Sequence, residues 1–351
     1  MFQLTRVSTL TAVVVLAIVT ATLLGRPRTD AVTDVVAKVK DSAVSIKSVS
    51  RIEGSSTRGS GAIIDGRGFV LTNEHVVRGE DFLAVALNDG TELAAYPVFA
   101  DAANDLAVLQ IKAGSRKLNE VRFAPSSDLI LGERVIVIGA PRALDHSVTS
   151  GRISALKRRL EFTAPEHVLE NLIQTETPIN PGNSGSPVFN INAEYIGTVV
   201  ARINNSDGLG FFIPSDTVDR VLSDKMSAAV RARIVHGISA SVKILKADGN
   251  GRLLVVVDKV TGPADAADLK PGDAVLKVEN QELRSCFDLE RSFWDRKPGD
   301  QVRLTILRDG EKKSLTIKLA EFTVPNEISR ALGGLMSTWW SLFNQFAPEK
   351  R

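Results

Sequence analysis

Ser184 lies in a segment whose composition suits a nucleophilic serine. Gly182 and Gly185 flank it closely, and prolines stand on both sides within the segment Thr177–Val188. Glycines allow a positive φ, and they let a substrate carbonyl approach main-chain N–H groups with no Cβ in the way. Because a serine hydroxyl is a poor nucleophile until a base removes its proton, the chain must also supply a histidine and an acid.

The chain supplies both groups in strand-rich surroundings. Residues 59–77 have the pattern of a hairpin, with short β-branched runs separated by Asp65-Gly66 and Gly68, and this segment reaches His75 near its end. Asp105 leads directly into the apolar run Leu106–Ile111. The two residues are therefore candidates for the base and for the acid that orients it.

The composition excludes several other classes of protein. The chain has 351 residues and is 44% hydrophobic, which is enough for a large core and for two or more domains. Its formal net charge of +2, with acids and bases interspersed, gives no indication of nucleic-acid binding. A single cysteine, Cys286, excludes an internal disulfide and a cysteine-based metal site, and four scattered histidines do not suggest metal ligands. We expect neither a metal nor a cofactor.

The N-terminal segment predicts export. Residues 7–25 carry no charge, Arg6 precedes them, and Arg26 and Arg28 follow. About 18–20 such residues span a bilayer as a helix, so residues 1–29 are predicted to be a retained membrane anchor. A cleaved signal peptide is the competing interpretation, but the apolar run is long and the small-residue cleavage site is indistinct.

The spacing of apolar residues predicts a mainly β protein. Between residues 40 and 215, short strands recur every 8–15 residues with Gly, Asn, Asp and Pro between them, as in a barrel or sandwich. Helical spacing is seen over 32–39 and again over 216–230. A smaller unit follows, with strands predicted at 253–257, 274–278, 302–307 and 314–319 and a short helix near 287–293.

The last 29 residues predict an amphipathic helix. One broad apolar face at helical spacing contains Ile328, Leu332, Leu335, Trp339, Leu342, Phe343 and Phe346. Packing on the protein and contact with a membrane interface both remain open for this helix. The predicted domains are therefore residues 1–29, 30–226, 227–322 and 323–351.

Three segments together resemble the HtrA family of chymotrypsin-fold serine proteases, which includes DegP and DegS. They are Gly-Asn-Ser-Gly-Ser-Pro around Ser184, Thr-Asn-Glu-His-Val-Val around His75, and Asp-Leu-Ala-Val-Leu from Asp105. The resemblance implies a double β-barrel in which Ser184 attacks the scissile carbonyl, His75 is general base and then acid, and Asp105 orients the imidazole. It also implies an oxyanion hole formed by the N–H groups of Gly182 and Ser184.

Two residues depart from the pattern of this family. Ser186 stands where a second glycine is common, and Glu74 stands where Asn is common. We expect Ser186 to alter the flexibility of the loop without abolishing catalysis. We expect the side chain of Glu74 to point outward, because a carboxylate pointing inward would favour the protonated form of His75.

The resemblance also implies a preference for small aliphatic residues before the cleaved bond. The candidate residues of the substrate pocket are Ile179 and the strand residues Thr198, Val199 and Val200, which would give an apolar lining. Glu176 leaves a preference for a basic residue open.

The segment Val257–Val278, with its Lys-Pro-Gly-Asp turn and a second such turn at 297–300, resembles a PDZ domain of the HtrA type. Such domains add a peptide to a sheet edge and hold its terminal carboxylate with backbone N–H groups. By resemblance the carboxylate-binding loop consists of Val235, His236, Gly237 and Ile238. We expect His236 to face solvent in this loop, with pH-dependent peptide binding as the alternative.

One PDZ domain and an N-terminal anchor are the layout of the DegS type. This likeness implies a homotrimer in the bacterial inner membrane, a single span and a periplasmic catalytic domain, with activity gated by hydrophobic C-terminal peptides. The gating loop would be Lys157–Leu172, with Arg158 or Arg159 as the contact.

The predicted function is a serine endopeptidase that acts on misfolded or regulatory envelope proteins. If the protein is an enzyme, the alternative to a membrane-anchored protease is a quality-control protease released into the periplasm. The alternative to an enzyme is a peptide-binding scaffold or chaperone with marginal hydrolysis.

Overall fold

The computed structural model describes residues 29–49, 56–139, 147–163, 166–202, 209–247 and 250–322. The predicted anchor or signal segment, up to residue 28, and the predicted C-terminal amphipathic helix lie outside these residues. No helix in the described part is both long enough and apolar enough to cross a membrane.

The first barrel follows a short helix, α1 (Ala31–Val39), which the sequence predicts over 32–39. The carboxylate of Asp30 caps this helix by accepting hydrogen bonds from the N–H groups of Val32 and Thr33 at 3.0 and 2.9 Å. Six strands then close in the order β1-β2-β3-β6-β5-β4. They are β1 (Ala43–Val49), β2 (Ser56–Asp65), β3 (Phe69–Thr72), β4 (Phe82–Ala86), β5 (Glu92–Asp101) and β6 (Leu106–Ile111).

Between β3 and β4 the chain forms a single helical turn, α2 (Glu74–Val77). The interior of this barrel is filled by β-branched and leucine side chains such as Ile46, Val70, Val85 and Leu109. Alternate residues of a strand point to opposite faces, so the same strands also supply a second set of apolar residues to the core between the barrels.

The second barrel closes in the order β10-β11-β12-β9-β8-β7. Its strands are β7 (Arg134–Gly139), β8 (Ser147–Thr163), β9 (Glu166–Thr175), β10 (Pro187–Phe189), β11 (Tyr195–Arg202) and β12 (Gly210–Pro214). The predicted double barrel of a mainly β protein is confirmed. The expectation of a loop over Lys157–Leu172 is wrong, because paired positions such as Arg158 and Leu172 continue the β8–β9 ribbon through most of it.

Two helices connect the barrels to the second domain. They are α3 (Ser215–Lys225) and α4 (Ala228–Ala232), where the sequence predicts one helix over 216–230. Arg233 then has a left-handed backbone conformation, with φ of 56°, which ends α4 and turns the chain.

The described part of the second domain contains a six-stranded sheet, a two-stranded sheet and two short helices. The main path of the six-stranded sheet is β14-β15-β16-β18-β19, β17 pairs with β16, and a separate two-stranded sheet joins β13 to β20. The strands are β13 (Ile234–Val235), β14 (Ile238–Ala247), β15 (Asn250–Val260), β16 (Ala274–Val278), β17 (Gln281–Glu282), β18 (Gln301–Arg308), β19 (Glu311–Lys318) and β20 (Ala320–Glu321). The helices are α5 (Gly262–Ala266) and α6 (Cys286–Arg291).

Helix α6 joins this domain to the two barrels. Phe287 lies 6.2 Å from the ring of Phe123, and Trp294 lies 5.2 Å from the ring of Phe69. The carboxylate of Asp219, on α3, accepts hydrogen bonds from the N–H groups of Phe287 and the residue before it, at 2.8 and 3.0 Å. The first turn of α6 is therefore capped by a side chain of the other domain.

Candidate active site

His75 and Asp105 are held together at the rim of the first barrel. The Nδ1 atom of His75 lies 2.8 Å from Oδ2 of Asp105, and the His75 backbone N–H donates to Oδ1 of the same carboxylate at 3.0 Å. Asp105 is buried and has a positive φ of 50°, and its carbonyl accepts a hydrogen bond from the side-chain amide of Asn73 at 2.9 Å. These contacts fix both the carboxylate and the imidazole, whose Nε2 edge is left for other partners.

The loop that carries Ser184 belongs to the second barrel but is fastened to the first. The Ser60 N–H donates to the carbonyl of Ser184 at 2.8 Å, and the Ser60 hydroxyl donates to the carbonyl of Gly182 at 2.8 Å. Within the loop, Gly185 has φ of 85°, and its N–H donates to the carbonyl of Val199 at 2.9 Å. Only a glycine has the conformational freedom and the small size that this position requires.

Gly59 shows how closely the two elements approach. An ideal Cβ on Gly59 would lie 2.6 Å from Cγ1 of Val76 and 3.3 Å from the carbonyl oxygen of Ser184. The residue next to His75 and the backbone of Ser184 therefore contact the same glycine. Among the described residues, no hydrogen bond joins the Ser184 hydroxyl to His75, and such bonds are often long in ligand-free enzymes.

Two main-chain donors of the serine loop have no acceptor. In the described part of the chain, neither the N–H of Gly182 nor that of Ser184 donates a hydrogen bond to the protein. Gly182 has φ of 99°, again a conformation that suits glycine. Unpaired N–H groups beside a serine hydroxyl can receive an oxygen that gains negative charge.

Glu74 is buried, so the expectation that it points outward is wrong. Its carboxylate forms a bidentate ion pair with the guanidinium of Arg78, four residues later, including a bond from Nε at 2.9 Å. The hydrogen bond to Glu74 raises the pKa of Arg78. The negative charges of Glu74 and Asp105 raise it further. The extra negative charge beside His75 is therefore neutralised by a partner on the same helical turn.

Ser186 packs against the end of β7. Its side chain is buried, and its hydroxyl has no hydrogen-bond partner in the described structure. A Cβ on Gly139 would overlap this hydroxyl and would lie 2.6 Å from Oδ1 of Asn183. The side chain that replaces the family's second glycine is therefore accommodated because Gly139 has none.

The four predicted pocket residues do not share one environment. Ile179 and Val199 belong to the interior of the second barrel, together with residues such as Phe212. Val200 belongs instead to the cluster between the barrels and α3. The hydroxyl of Thr198 is buried and lies 2.5 Å from the hydroxyl of Tyr195.

Ile179 is also buried, at 8% exposure, so all four of the predicted pocket residues are buried. Its Cγ1 atom would lie 2.6 Å from a Cβ placed on Gly210, the first residue of β12. The Ile179 side chain therefore occupies the space that a side chain at Gly210 would need.

The second candidate site is the open edge of β14, next to the segment Val235–Ile238. Val235 pairs with Ala320, and Gly237 has φ of 79° with its Cα packed directly against the carbonyl of Thr261. Among the described strands β14 pairs with β15 alone, so its other edge can accept a further strand.

His236 is buried, so the expectation that it faces solvent is wrong. Its ring stacks on Phe293 with centroids 4.7 Å apart, and Nε2 lies 3.2 Å from Oε1 of Glu290, on α6. Its Nδ1 accepts a hydrogen bond from the N–H of Ile238 at 3.1 Å. The loop is thus folded around this imidazole.

Sequence reasoning missed Ser60 and Arg78. Ser60 lies between two glycines in β2 and holds the serine loop through both its backbone and its side chain. The Gly-Ser-Gly pattern was the available signal, since glycines on both sides of a small residue indicate a close approach of another chain segment. Arg78 could have been found from its i,i+4 spacing to Glu74.

The domain composition matches two family models. The model of the trypsin-like peptidase domain matches residues 59–198, and the model of the PDZ domain matches residues 237–319. A crystal structure of the serine endoprotease from Yersinia pestis matches with 28% identity and a TM-score of 0.50, over 85% of this chain and all of that chain. The structure of the HtrA-type protease AlgW with a tripeptide matches with 29% identity and a TM-score of 0.50, over 84% of this chain and 98% of that one.

This chain belongs to the HtrA family. A probable periplasmic DegP-like serine endoprotease of Halomonas elongata is 39% identical over 274 residues, which are 75% of this chain and 56% of that relative. The chloroplastic Protease Do-like 1 of Arabidopsis thaliana is 34% identical over 276 residues, which are 74% of this chain and 63% of that relative. The HtrA-type chain described here therefore spans little more than half the length of these curated relatives.

Proposed function

We propose that this chain is a serine endopeptidase that cleaves polypeptides through an acyl-enzyme. The observation that supports this most directly is the fixed pair of His75 and Asp105, at 2.8 Å, beside the serine loop that Ser60 holds against the first barrel. The names of the HtrA-type relatives point to the same activity.

In the proposed mechanism the Ser184 hydroxyl attacks the scissile carbonyl while Nε2 of His75 takes its proton. Asp105 accepts from Nδ1–H, which selects this tautomer and stabilises the imidazolium that forms. The imidazolium then gives its proton to the leaving amine, and an acyl-enzyme on Ser184 remains. Water, activated by the same imidazole, hydrolyses the acyl-enzyme and restores the serine.

The carbonyl oxygen becomes negative during each attack, and the N–H groups of Gly182 and Ser184 are proposed to bind it. Their lack of protein acceptors supports this role. A donor in such a position typically contributes about 3–4 kcal/mol to the stability of the transition state. We place the side chain that precedes the cleaved bond against Ile179, with Val199 below it in the barrel interior and with Thr198 and Val200 shaping the strand.

For the second domain we propose binding of hydrophobic C-terminal peptides at the edge of β14. The loop of Val235, His236, Gly237 and Ile238 would hold the terminal carboxylate. The open strand edge and the match to a PDZ model support this proposal. Helix α6 borders β14 and is also bonded to Asp65 of the first barrel and to Asp219 of α3, so a peptide could act on protease activity through it.

We further propose a DegS-like arrangement in the cell envelope. Residues 1–29 would anchor a homotrimer in the bacterial inner membrane, with the protease domain in the periplasm and misfolded or regulatory envelope proteins as substrates. The single PDZ domain, the apolar N-terminal sequence and the periplasmic relatives support it. Fractionation of cells into membrane and soluble parts, with the mass of the mature chain, separates an anchored protein from a released one.

The experiment that tests the enzyme is cleavage of β-casein by the purified chain, with and without peptides that end in hydrophobic residues. We expect cleavage that Ser184→Ala abolishes and that the peptides accelerate. If the chain and its Ser184→Ala variant both fail to cleave but both suppress aggregation of an unfolded protein, the chain is a scaffold or chaperone and the proposal is overturned.

A further inference from the structure

We infer that the peptide site of the second domain is closed by two of the chain's own side chains and that acid opens it. This inference rests on the proposed peptide binding at β14. Two backbone groups on the open edge of this strand, the Ile238 N–H and the Ala240 carbonyl, are already hydrogen-bonded to His236 and Cys286. These are groups that an incoming peptide would need.

The Ile238 N–H points toward the open edge of the sheet. Ile238 faces Val260 on β15, and the N–H of Thr261 donates to the carbonyl of Gly237 at 2.8 Å. In an antiparallel pair this bond means that Ile238 and Val260 do not hydrogen-bond to each other. The N–H of Ile238 is therefore directed away from β15. There it meets Nδ1 of His236, in the place where a terminal carboxylate would be held.

The Ala240 carbonyl is occupied in the same way from the opposite side of the groove. Cys286, the first residue of α6, donates from Sγ to this carbonyl at 3.3 Å. Burial raises the pKa of the Cys286 thiol, and the neighbouring carboxylates raise it further, so the thiol stays a donor at all ordinary pH values. A peptide strand must displace this contact as well, but the contact itself does not respond to pH.

The contact of His236 does respond to pH, because Nδ1 can accept the Ile238 N–H only while it carries no proton. The proton of the neutral ring is then on Nε2, which faces Glu290 at 3.2 Å. When the ring takes up a second proton, Nδ1 becomes a donor. It then faces the Ile238 N–H, which is also a donor, so the hydrogen bond between them is lost. The bond from Nε2 to Glu290 becomes charge-assisted at the same time, so the ring keeps its place while the Ile238 N–H is released.

The charges around the ring favour this response. Glu290 is the carboxylate in contact with it, and the same group accepts the Ala228 N–H at 2.7 Å, at the start of α4. Of the two arginines on the packed helices, Arg291 is directed to Asp65 and Glu120, and Arg231 lies over the rings of Phe69 and Trp294. A cation on His236 would thus meet the Glu290 carboxylate on one side and the peptide carboxylate on the other.

The direction of the effect follows from linkage. A fall in pH should therefore make peptides bind more tightly, because protonation of Nδ1 frees the Ile238 N–H for the peptide. Binding of a carboxylate should also draw a proton from the buffer, because the two ligands stabilise the same open form.

The test uses the full chain with Ser184→Ala, so that the probes are not cleaved. The probes are fluorescein-labelled Ser/Gly hexapeptides that end in Val, Leu, Ile or Phe, each as the free acid and as the carboxamide. Anisotropy titrations give Kd at pH 7.5 and 5.5. Calorimetry at pH 6.5 in two buffers of different ionisation enthalpy counts the protons taken up.

We expect the free-acid peptides to bind at least fivefold more tightly at pH 5.5 than at pH 7.5, with uptake of protons on binding. The Kd of the carboxamide peptides should change much less. The matched variant is His236→Phe, which keeps a ring on Phe293 but neither accepts a hydrogen bond nor titrates. It should bind acids at pH 7.5 about as well as the parent does at pH 5.5. Cys286→Ala should lower the Kd of the free-acid peptides relative to the parent chain, and the ratio of the two Kd values should be equal at pH 7.5 and pH 5.5.

Peptide binding that is equal at both pH values without proton uptake, or an unchanged pH dependence in His236→Phe, would overturn this inference and leave the peptide site itself standing. If no acid binds to any of the proteins at either pH, the proposed peptide function fails and this inference fails with it. Should His236→Phe not fold, the proton count on the parent chain still decides.

Discussion

The Ser60 N–H donates a 2.8 Å hydrogen bond to the carbonyl of Ser184, so the serine loop of the second barrel is tied to β2 of the first. The Ser60 carbonyl in turn accepts from the hydroxyl of Thr72, two residues before α2. A chain of backbone and hydroxyl contacts thus runs from the serine loop to the segment that carries His75. The relative position of the two candidate catalytic residues therefore depends on the contact between the barrels.

Gly185→Ala should disable the site while leaving the barrels folded. A Cβ at this position would overlap the carbonyl oxygen of Ser60 and would lie 2.5 Å from the Thr72 hydroxyl, and φ is 85°. The loop must then move away from β2, and we expect β-casein cleavage to fall by at least about 100-fold, as a misplaced catalytic group typically causes. The control is Gly66→Ala, whose Cβ would meet nothing within 4 Å and which should keep full activity. Equal activity of the two variants would contradict this role of Gly185.

Asp105→Asn should lower kcat by about 10⁴-fold without unfolding the chain. An amide at this position can donate to Nδ1 of His75, which favours the wrong tautomer of the imidazole. Asn tolerates the positive φ of Asp105, so circular dichroism and thermal unfolding should change little. Asp89→Asn is the control, because Asp89 lies at the surface, where it pairs with Arg116 and accepts a hydrogen bond from the N–H of Thr91. A decrease of less than tenfold in Asp105→Asn would show that Asp105 does not orient the base.

The fold and the catalytic candidates were largely predictable because their signals are local. Periodicity of two and regular turn residues predict the strands, and the flanking glycines of Ser184 mark its loop. The orientation of Glu74 and the burial of His236 were not predictable in this way. Each depends on a partner that local polarity does not reveal as a contact, namely the guanidinium of Arg78 and the ring of Phe293 with the carboxylate of Glu290.

The β8–β9 ribbon shows a second limit of predicting structure from this sequence. The segment Lys157–Leu172 is rich in charged residues, and the likeness to the DegS type implied a loop there. In the structure it continues strands whose pairing begins in the barrel, with cross-strand contacts such as that of Arg158 with Gln174 at 3.0 Å. Pairing that starts in the barrel thus continues into this charged segment, and the contact between neighbouring strands decides its structure.

Arg78→Ala should change the pH dependence of cleavage rather than its maximum rate. Without the guanidinium, the buried Glu74 carboxylate beside His75 has no counter-ion, and its charge favours the protonated imidazole. We expect the pH at which kcat/KM reaches half its plateau to rise, because a neighbouring negative charge favours the protonated imidazole. The double variant Glu74→Gln with Arg78→Ala removes both charges and should restore the parent profile. A profile in Arg78→Ala that matches the parent would show that the pair has no influence on the base.

Asp219 should make the stability of the chain depend on pH, because burial raises its pKa to about 6, although the N–H groups of Phe287 and Cys286 act to lower it. The ordinary value for the unfolded chain is 3.8, so the folded chain binds an extra proton between these pH values. The free energy of unfolding therefore rises as the pH falls through 6, by on the order of 1 kcal/mol from this group between pH 7.5 and 5.0. Urea unfolding at the two pH values should show this gain in the parent chain and lose it in Asp219→Asn. Asp224→Asn, an exposed position on the same helix, should retain it, and an equal gain in all three proteins would mean that Asp219 does not titrate as described.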